Sequence, residues 1–380
     1  MMKIKKSILI RIYPNLLQKQ QIIKTLGCCR FLYNQMLAEH INVYEEHRET
    51  NTPLTWKYKT EKQYKEEFEF LKEVDSMALI YTNKSLRNAY ANFFRYINGG
   101  KKFGYPSFKK RKDCGSYTTT NFTILDDNHI RLGKCGVIRF KKSKKLQIQG
   151  KPVSITITKT STEKYFCSIS LEHETKHVEK IQLTDESNVI GLDMSLPKFF
   201  VDSNGNSPEF QKFYKIYDKK LKKLRFLMYR KENNSRKQKK LRKSINLIKE
   251  KIFNKRKDFS HKLSLQVVRQ NDVIVVENLR LQQMSQTCHF GTTVNDLGYS
   301  QFINQLRYKC EKYGKHFIQA DRLYASTKTC HICGYKNKSL TLKDREWICP
   351  NCNTKHDRDI NAAMNLKNLG IDSVRKCLQS

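Results

Sequence analysis

Two CxxC pairs near the carboxyl end constrain the fold of this chain more than any other feature. The stretches CHIC and CPNC supply Cys330, Cys333, Cys349 and Cys352, with fifteen residues between the pairs. Each CxxC turn lets two thiolates converge on one ion, and the spacer has the length of a β-hairpin. A disulfide-bonded pair or a coincidence of spacing is the alternative. The pattern predicts a structural zinc ribbon over residues 329–353, with four thiolates around Zn²⁺ and no open position for catalysis.

The charge balance indicates the kind of partner. The 380 residues include 73 Lys and Arg against 36 Asp and Glu, a formal net charge of +37. Such a charge predicts a polyanionic partner. Nucleic acid is favoured over a membrane surface because the cations are spread along the chain. No apolar run reaches the roughly 20 residues that span a bilayer, so no membrane partner is expected. The eight cysteines outside the two pairs are scattered, which is typical of reduced thiols in the cytosol.

The amino-terminal half is predicted to contain helices followed by short strands. Residues 15–97 repeat apolar residues at helical spacing, and GGKKFGYPSFKKRK at 99–112 is a basic loop interrupted by Gly and Pro. From about 116 to 172 come five or so β-rich runs with turn residues between them, which predict a small barrel-like module. The alternating SILIRIY near the start predicts one more strand that pairs with this module.

The carboxyl-terminal half is predicted to alternate buried strands with basic helices. NVIGLDMSLPKFFVD predicts a strand, a turn at Pro197 and a second strand, and DVIVVENLR predicts another buried strand. Between them, residues 211–262 carry 21 Lys and Arg but only four acids on a helical background. So lopsided a segment favours binding to a nucleic-acid backbone, and a solvated helical face is the alternative. Five of its cations, named here the insertion cations, are candidate contacts: Lys237, Lys239, Lys240, Arg242 and Lys243.

Three acids stand out in this cationic chain. Asp193 directly follows the buried run NVIGL, Glu277 follows DVIVV in the same way, and Asp359 stands at the head of a predicted helix. A charge on a buried strand is costly unless it is paired or binds a metal. The alternatives are a helix N-cap for Asp359 and salt-bridge or turn roles for the other two. Together the three carboxylates predict a site for two Mg²⁺ ions, which would clamp the oxygens of a phosphodiester displacement.

The order of these motifs resembles that of a known family. GLDMSLPKFFVD, NKRKDFSHKL, DVIVVENL, the two CxxC pairs and HDRDINAAMNL occur in the same order in TnpB (OrfB-type) proteins of insertion sequences, which are relatives of the type V CRISPR effectors. The amino-terminal stretches IRIYPNLLQKQQIIKTLGCCRFLYNQML and KKFGYPSFKKRK are similar to the same family, so the resemblance covers residues 1 to about 370. It implies that Asp193, Glu277 and Asp359 are the catalytic acids. Asp359 is preferred to Asp357 because the family's third acid lies two residues before Asn361, and Asp357 is then a supporting or capping residue.

The resemblance also implies an architecture of the α/β multidomain class. A wedge-like β-barrel domain would comprise 1–14 and 115–184, with a helical recognition domain, 15–114, inserted into it. An RNase H-like RuvC nuclease domain would comprise 185–328 and 354–380, interrupted by the basic helical insertion 211–262 and by the zinc ribbon 329–353.

Function and partners are likewise implied by the resemblance. The family implies an RNA-guided, Mg²⁺-dependent DNA endonuclease of the prokaryotic cytosol and nucleoid, with one chain per guide RNA taken from the transposon end. Its double-stranded target would be cut beside a short motif that protein side chains read. By position, those side chains would be Trp56, Ser76, Met77, Ile80 and Thr123. Three alternatives are a guided repressor that does not cleave, a zinc-ribbon DNA-binding regulator, and a transposase that acts directly on transposon ends.

Overall fold

The chain divides into two units, Met1–Lys176 and His177–Ser380, and each is described separately. The computed structural model describes residues 2–50, 59–97, 104–110, 114–142, 146, 148–175, 178–195, 197–278, 297–321, 324, 326–341 and 344–379. Trp56, one of the residues proposed to read DNA, lies outside this set. None of the helices in these ranges is long and apolar enough to cross a membrane.

A seven-stranded antiparallel sheet forms the base of the first unit. Its strands are β1 Met2–Tyr13, β2 Gly115–Thr119, β3 Phe122–Ile124, β4 His129–Leu132, β5 Gly136–Lys141, β6 Lys151–Lys159 and β7 Tyr165–Thr175, in the order β2-β6-β7-β1-β5-β4-β3. The predicted amino-terminal strand is confirmed as β1, which pairs with β7 along its length and with β5 at its end. Its alternation buries Ile8, Ile10 and Ile12 and exposes Leu9, as a strand with one face on a core requires.

Helices cover the buried face of this sheet, as the apolar periodicity of 15–97 predicted. They are α1 Leu16–Thr50, α2 Glu61–Glu67 and α3 Ser76–Ile97, with a 3₁₀ turn at Glu69–Glu73. Leu32 and Met36 of α1 and Leu79 of α3 share one core with the sheet residues Ile130 and Ile169. The Thr60 hydroxyl accepts from the backbone N–H of Gln63 in a capping box, which fixes where α2 begins.

The second unit contains a four-stranded sheet. Its strands are β8 Val189–Ser195, β9 Phe199–Asp202, β10 Val273–Val276 and β11 His316–Gln319, in the order β11-β10-β8-β9. Strands β8, β10 and β11 are parallel, while β9 pairs antiparallel with β8 across the predicted turn at Pro197, so the predicted hairpin is confirmed. Because both faces of a parallel sheet are covered, its strands are continuous apolar runs such as VIVV.

Helices pack on both faces of this second sheet. The helix α4 Phe213–Tyr229 packs against α5 Arg236–Gln270, which lies on the sheet together with α6 Tyr299–Tyr313 and α7 Arg358–Gln379. A hairpin of β12 Glu346–Ile348 and β13 Lys355–Asp357 precedes α7. Ile190, Leu192 and Ile274 face a core shared with α5 and α6, whereas Val273 and Val275 face α7. The helix α5 is continuous through residue 262, where the predicted basic insertion ends.

Candidate functional site

Two of the predicted acids lie side by side at the carboxyl edge of the parallel sheet. The register pairs Leu192 of β8 with Val276 of β10, so Asp193 is the next residue of β8 and Glu277 directly follows the end of β10. Asp193 is only 6% exposed, and Glu277 is half-buried. Within the described part of the chain neither carboxylate has a hydrogen bond or an ion pair.

Burial and mutual repulsion make these carboxyl groups reluctant to ionise. Burial raises the pKa of Asp193 well above its ordinary value, and the nearby carboxylates of Glu277 and Asp359 raise it further, against a smaller opposing effect of Arg358. Burial also raises the pKa of Glu277. A cation bound between the carboxylates would remove this repulsion, so the pattern is that of an acid cluster suited to a metal.

Asp359 reaches the cluster from the first turn of α7. Its Oδ2 lies 3.5 Å from the hydroxyl of Ser195, two residues beyond Asp193 on the same face of β8. The alternative role of Asp359 as the N-cap of this helix is wrong, because Asp357 has that role. The Asp357 carboxylate accepts hydrogen bonds from the backbone N–H groups of Asp359, at 2.9 Å, and Ile360, at 3.0 Å. The expected capping role of Asp357 is thereby confirmed.

Two glycines let α7 lie directly on the sheet. A methyl group added to Gly191 of β8 would stand 2.1 Å from the carbonyl oxygen of Ala363 and 2.6 Å from the backbone nitrogen of Lys367. One added to Gly370 of α7 would stand 2.6 Å from a methyl of Val189. The close approach holds the helix that carries Asp359 against the strand that carries Asp193.

Two arginines also approach Asp359, and neither stood out from the sequence. Arg345 and Arg358 place guanidinium nitrogens 3.6 and 3.5 Å from its Oδ1. The Arg345 carbonyl accepts a 2.8 Å hydrogen bond from the backbone N–H of Arg358, across the β12–β13 hairpin. Arg345 lies within the ribbon and Arg358 is the first residue of α7, so the two cations reach Asp359 from both sides of the junction between ribbon and helix.

The four cysteines of the predicted ribbon form one cluster. Their sulfur atoms all lie within 4.8 Å of one another, with Cys330–Cys352 and Cys333–Cys349 each at 3.6 Å. Sulfurs about 2.3 Å from a tetrahedral Zn²⁺ stand roughly 3.8 Å apart, so the cluster fits that ion. Hydrogen bonds from the Asn351 side chain and the Tyr335 backbone lower the pKa of Cys333 to about 6, whereas burial raises the pKa of Cys330 to about 12. In the absence of a metal, Cys333 therefore favours the thiolate more than Cys330 does. The predicted convergence of both CxxC pairs is confirmed.

Three asparagines of α7 attach the first CxxC turn to the helix that carries Asp359. We call Asn361, Asn365 and Asn368 the asparagine ladder, since the spacing i, i+4, i+7 places them on one helix face. Asn361 donates to the carbonyl of Thr329 at 2.8 Å and accepts from the backbone N–H of His331 at 3.0 Å. Asn365 donates to the same Thr329 carbonyl at 2.6 Å, and Asn368 donates to the His331 carbonyl at 3.1 Å. The spacing of the three asparagines is visible in the sequence NAAMNLKN. Their hydrogen-bond partners lie about 30 residues away, and nothing in the sequence around Thr329 and His331 predicts these contacts.

Known families match three parts of the chain. Residues 168–287 match the family described as "Probable transposase" (OrfB_IS605), and residues 1–49 match the associated "Helix-turn-helix domain". In this structure residues 2–49 form β1 and most of the single helix α1. Residues 299–366, which include the four clustered cysteines, match "Cas12f1-like, TNB domain".

Relatives and a solved structure extend the match to nearly the whole chain. A Streptomyces pristinaespiralis protein named "Putative RNA-guided DNA endonuclease" is 28% identical and covers 98% of this chain and 90% of its own length. The Escherichia coli K12 protein of that name, InsQ, is 26% identical over 92% of this chain and 88% of its own. The Cas12f1 chain of a complex with sgRNA and target DNA is 11% identical, covers 96% of this chain and 99% of its own, and has a TM-score of 0.55, so the two share a fold. The chain is a TnpB-type relative of the type V effectors.

The structure of this TnpB-type chain brings together three of the five residues proposed to read DNA. Ser76, Met77 and Thr123 line one cavity of about 400 Å³, together with the cations Arg131 and Lys134. Ile80 is 41% exposed on α3 and is not among the lining residues.

A buried acid that was not predicted holds this cavity together. Asp75 caps α3 by accepting from the backbone N–H of Met77 at 3.2 Å. It also accepts from the hydroxyl of Thr119 and, at 3.5 Å, from the side chain of Asn121. Asp75 thereby joins the start of α3 to the loop between β2 and β3.

The insertion cations lie on the first turns of α5, in a hairpin with α4. Phe213, Leu221, Ile245 and Ile252 form its apolar seam. The four lysines of the set are exposed, and Arg242 is half-buried with a 3.2 Å hydrogen bond to Gln238. The apolar residues face inward and the cations outward, which leaves a basic surface.

Proposed function

We propose that this chain is an RNA-guided, Mg²⁺-dependent DNA endonuclease of a transposable element. It would carry a guide RNA and cleave double-stranded DNA beside a short motif. Two relatives matched over about nine-tenths of their length carry the name "Putative RNA-guided DNA endonuclease". The net charge of +37 suits a protein that holds two nucleic acids. Such a protein would act in the prokaryotic cytosol, where the target DNA lies.

The observation that carries this proposal is the acid cluster. In a chain with twice as many cations as acids, Asp193 and Glu277 are buried or half-buried, and neither forms an ion pair with any described residue. Burying a carboxylate without an ion pair costs free energy, and folded proteins retain such groups mainly where they serve a function. A DNA-binding regulator without nuclease activity has no need of them.

The residues present fit Mg²⁺, which prefers carboxylate oxygens. Asp193, Glu277 and Asp359 would hold the metal, and bound Mg²⁺ would supply stabilisation of the charge on the phosphodiester oxygens during hydrolysis. Ser195 orients Asp359, and the Tyr299 hydroxyl holds the Ser195 carbonyl at 2.8 Å. The guanidinium groups beside Asp359 balance part of its charge.

We further assign the finer architecture on the family's pattern. The parallel sheet with α7 on one face would be the RuvC-like core of the predicted nuclease domain. The seven-stranded sheet would be the wedge-like domain, although its described strands form an open order that ends at β2 and β3 and not the closed barrel that was expected. The cavity at Ser76, Met77 and Thr123 would read the motif beside the target. The insertion cations would bind the backbone of the guide RNA or of its heteroduplex.

The test replaces each acid in turn and measures cleavage and guided binding separately. Asp193→Ala, Glu277→Ala and Asp359→Ala should each abolish Mg²⁺-dependent cleavage and leave guided DNA binding in place, since none of them touches the basic surfaces. Asp357→Asn is the matched control, because an asparagine caps a helix nearly as well as an aspartate. Loss of cleavage in Asp357→Asn but not in Asp359→Ala would reverse the assignment. A wild-type complex that binds guided targets without cutting them would make the protein a repressor instead.

A further inference from the structure

A wide groove in the first unit has no role in the function proposed above. It has a volume of about 1190 Å³ and is lined by α1, α3, β2 and the loop 104–110. The described lining residues include four cations and five aromatic side chains but no acid. The basic loop motif GYPSFKK supplies much of one wall.

Contacts at both ends of the loop 104–110 fix its backbone, while most of its side chains stay exposed. Asn34 of α1 accepts from the backbone N–H of Lys109 at 2.7 Å and donates to its carbonyl at 3.0 Å. The Tyr105 ring packs edge-on against Phe93 with ring centres 5.2 Å apart, and its hydroxyl lies 3.2 Å from that of Tyr90. The five residues from Tyr105 to Lys109 are therefore anchored at both ends.

Between those anchors the loop exposes an aromatic ring beside cations. Phe108 is 50% exposed although it lies on an ordered loop, so it contributes little to the core. Lys110 is exposed next to it, and Arg30 of α1 lines the same groove. The Lys109 ammonium lies over the Tyr33 ring at 3.7 Å, which shows that the groove accommodates a cation against a π face.

Proteins that bind single-stranded nucleic acid combine two features. Cations lie along the phosphate backbone, and aromatic side chains stack on the bases. A duplex hides its base faces in the stack, so an exposed Phe is of use only to an unpaired nucleotide. The groove is also lined by the hydroxyl groups of Ser85, Ser107 and Ser116, which can pair with a ribose 2′-OH.

We propose that this groove binds an unpaired segment of RNA, with one base stacked on Phe108 and phosphates near Lys110 and Arg30. The inference rests on the proposed function, in which the chain carries an RNA throughout its working cycle. An unpaired segment of that RNA is the strand that the groove would meet before any DNA is opened.

The experiment uses the full chain with Asp193→Ala, so that binding is measured without cleavage. The probe is a fluorescein-labelled oligouridylate of about ten nucleotides, a length typical of such sites. Phe108→Ala should weaken binding between about fivefold and a hundredfold, the loss of one stacked base, and Phe108→Tyr should restore it. Lys110→Gln should lower the slope of log K against log salt by about 0.7, the loss of one phosphate contact. The control is Phe94→Ala, which removes a ring of 47% exposure that does not line the groove.

A second measurement locates the strand, because a chain this basic also binds RNA elsewhere. Ultraviolet cross-linking of the same probe carrying 4-thiouridine should label the peptide that contains Phe108, and Phe108→Ala should remove that label. Equal affinities for Phe108→Ala and Phe94→Ala, or a label confined to other peptides, would overturn the inference. A DNA oligomer that binds as tightly and depends equally on Phe108 would overturn the assignment to RNA. If purified wild type carries no RNA at all, the proposed function fails. If it carries guide RNA but Phe108→Ala does not change RNA binding, only the role proposed for the groove fails.

Discussion

The substitution Gly191→Ala tests whether close packing of α7 on β8 sets the geometry of the acid cluster. The added methyl would stand 2.1 Å from the Ala363 carbonyl oxygen, 2.6 Å from the Lys367 nitrogen and 3.0 Å from the Leu366 Cβ. Two of these three atoms are backbone, so no rotamer change relieves the overlap. Opening the shortest approach to an ordinary contact of about 3.5 Å requires a shift of roughly 1.4 Å. Asp359, one helical turn before Ala363, moves with the helix.

A displacement of that size is large for a metal-assisted reaction. Catalytic groups must be held within about 0.5 Å, and an error of about 1 Å costs on the order of a hundredfold in rate. Overpacking should also lower the free energy of unfolding by about 1–3 kcal/mol. We therefore expect Gly191→Ala to remain folded and to bind guide RNA, while its single-turnover rate of cleavage of a plasmid target falls about a hundredfold.

Two comparisons separate geometry from stability. Ile190→Val lies on the same strand but faces the opposite core, and it costs about 0.5–1.5 kcal/mol without adding an atom. It should cut at nearly the wild-type rate. Gly370→Ala meets valine methyls that can yield, about 16 Å along the helix from Asp359, so it should destabilise the fold and slow cleavage less. If Gly191→Ala cuts as fast as wild type, or if Ile190→Val slows equally, close packing does not set the position of Asp359.

Four further predictions address the other features. Purified protein should contain one Zn²⁺ per chain by elemental analysis, and Cys330→Ser should lower folded yield and cleavage together; active protein without zinc contradicts this. Replacing the insertion cations with Gln should reduce the salt dependence of guide-RNA binding, and an unchanged slope would leave them a solvated face. Cleavage of a library with randomised flanks should show altered preference for Ser76→Lys and Thr123→Ala, and identical preference would remove the cavity from motif reading. Because the pKa of Asp193 is raised in the metal-free fold, the folded state holds its proton more tightly than the unfolded chain, so stability falls as pH rises above about 4. In EDTA at neutral pH, Asp193→Asn should therefore melt higher than wild type, with the difference vanishing in acid; equal melting temperatures at neutral pH would contradict the burial of an ionised Asp193.

The parts of the fold that were predictable share a local signal. The alternation in SILIRIY and the apolar run VIVV each involve consecutive residues and predict a strand directly. The CxxC spacing likewise places two thiolates close together within one turn. The acids Asp193 and Glu277 were predictable because each directly follows such a run. The contacts of the asparagine ladder and of Gly191 could not be predicted, because they are made with backbone that is distant in the sequence and is brought close only by the tertiary fold. Asp357 and Asp359 differ by two residues, and only the position of the helix start shows which one caps it.

The asparagine ladder couples the position of the cysteine cluster to the position of the acid cluster. The turn that carries Cys330 is hydrogen-bonded along α7, the helix whose first turn carries Asp359. Loss of order in the ribbon would therefore remove one set of contacts that hold this helix, and a ligand that fixes Asp359 would also stabilise the ribbon. Thermodynamic linkage makes this influence reciprocal: the factor by which zinc tightens binding of a divalent cation at the acids is the factor by which that cation tightens zinc. If the acids bind a divalent cation as proposed, removal of zinc should weaken that binding.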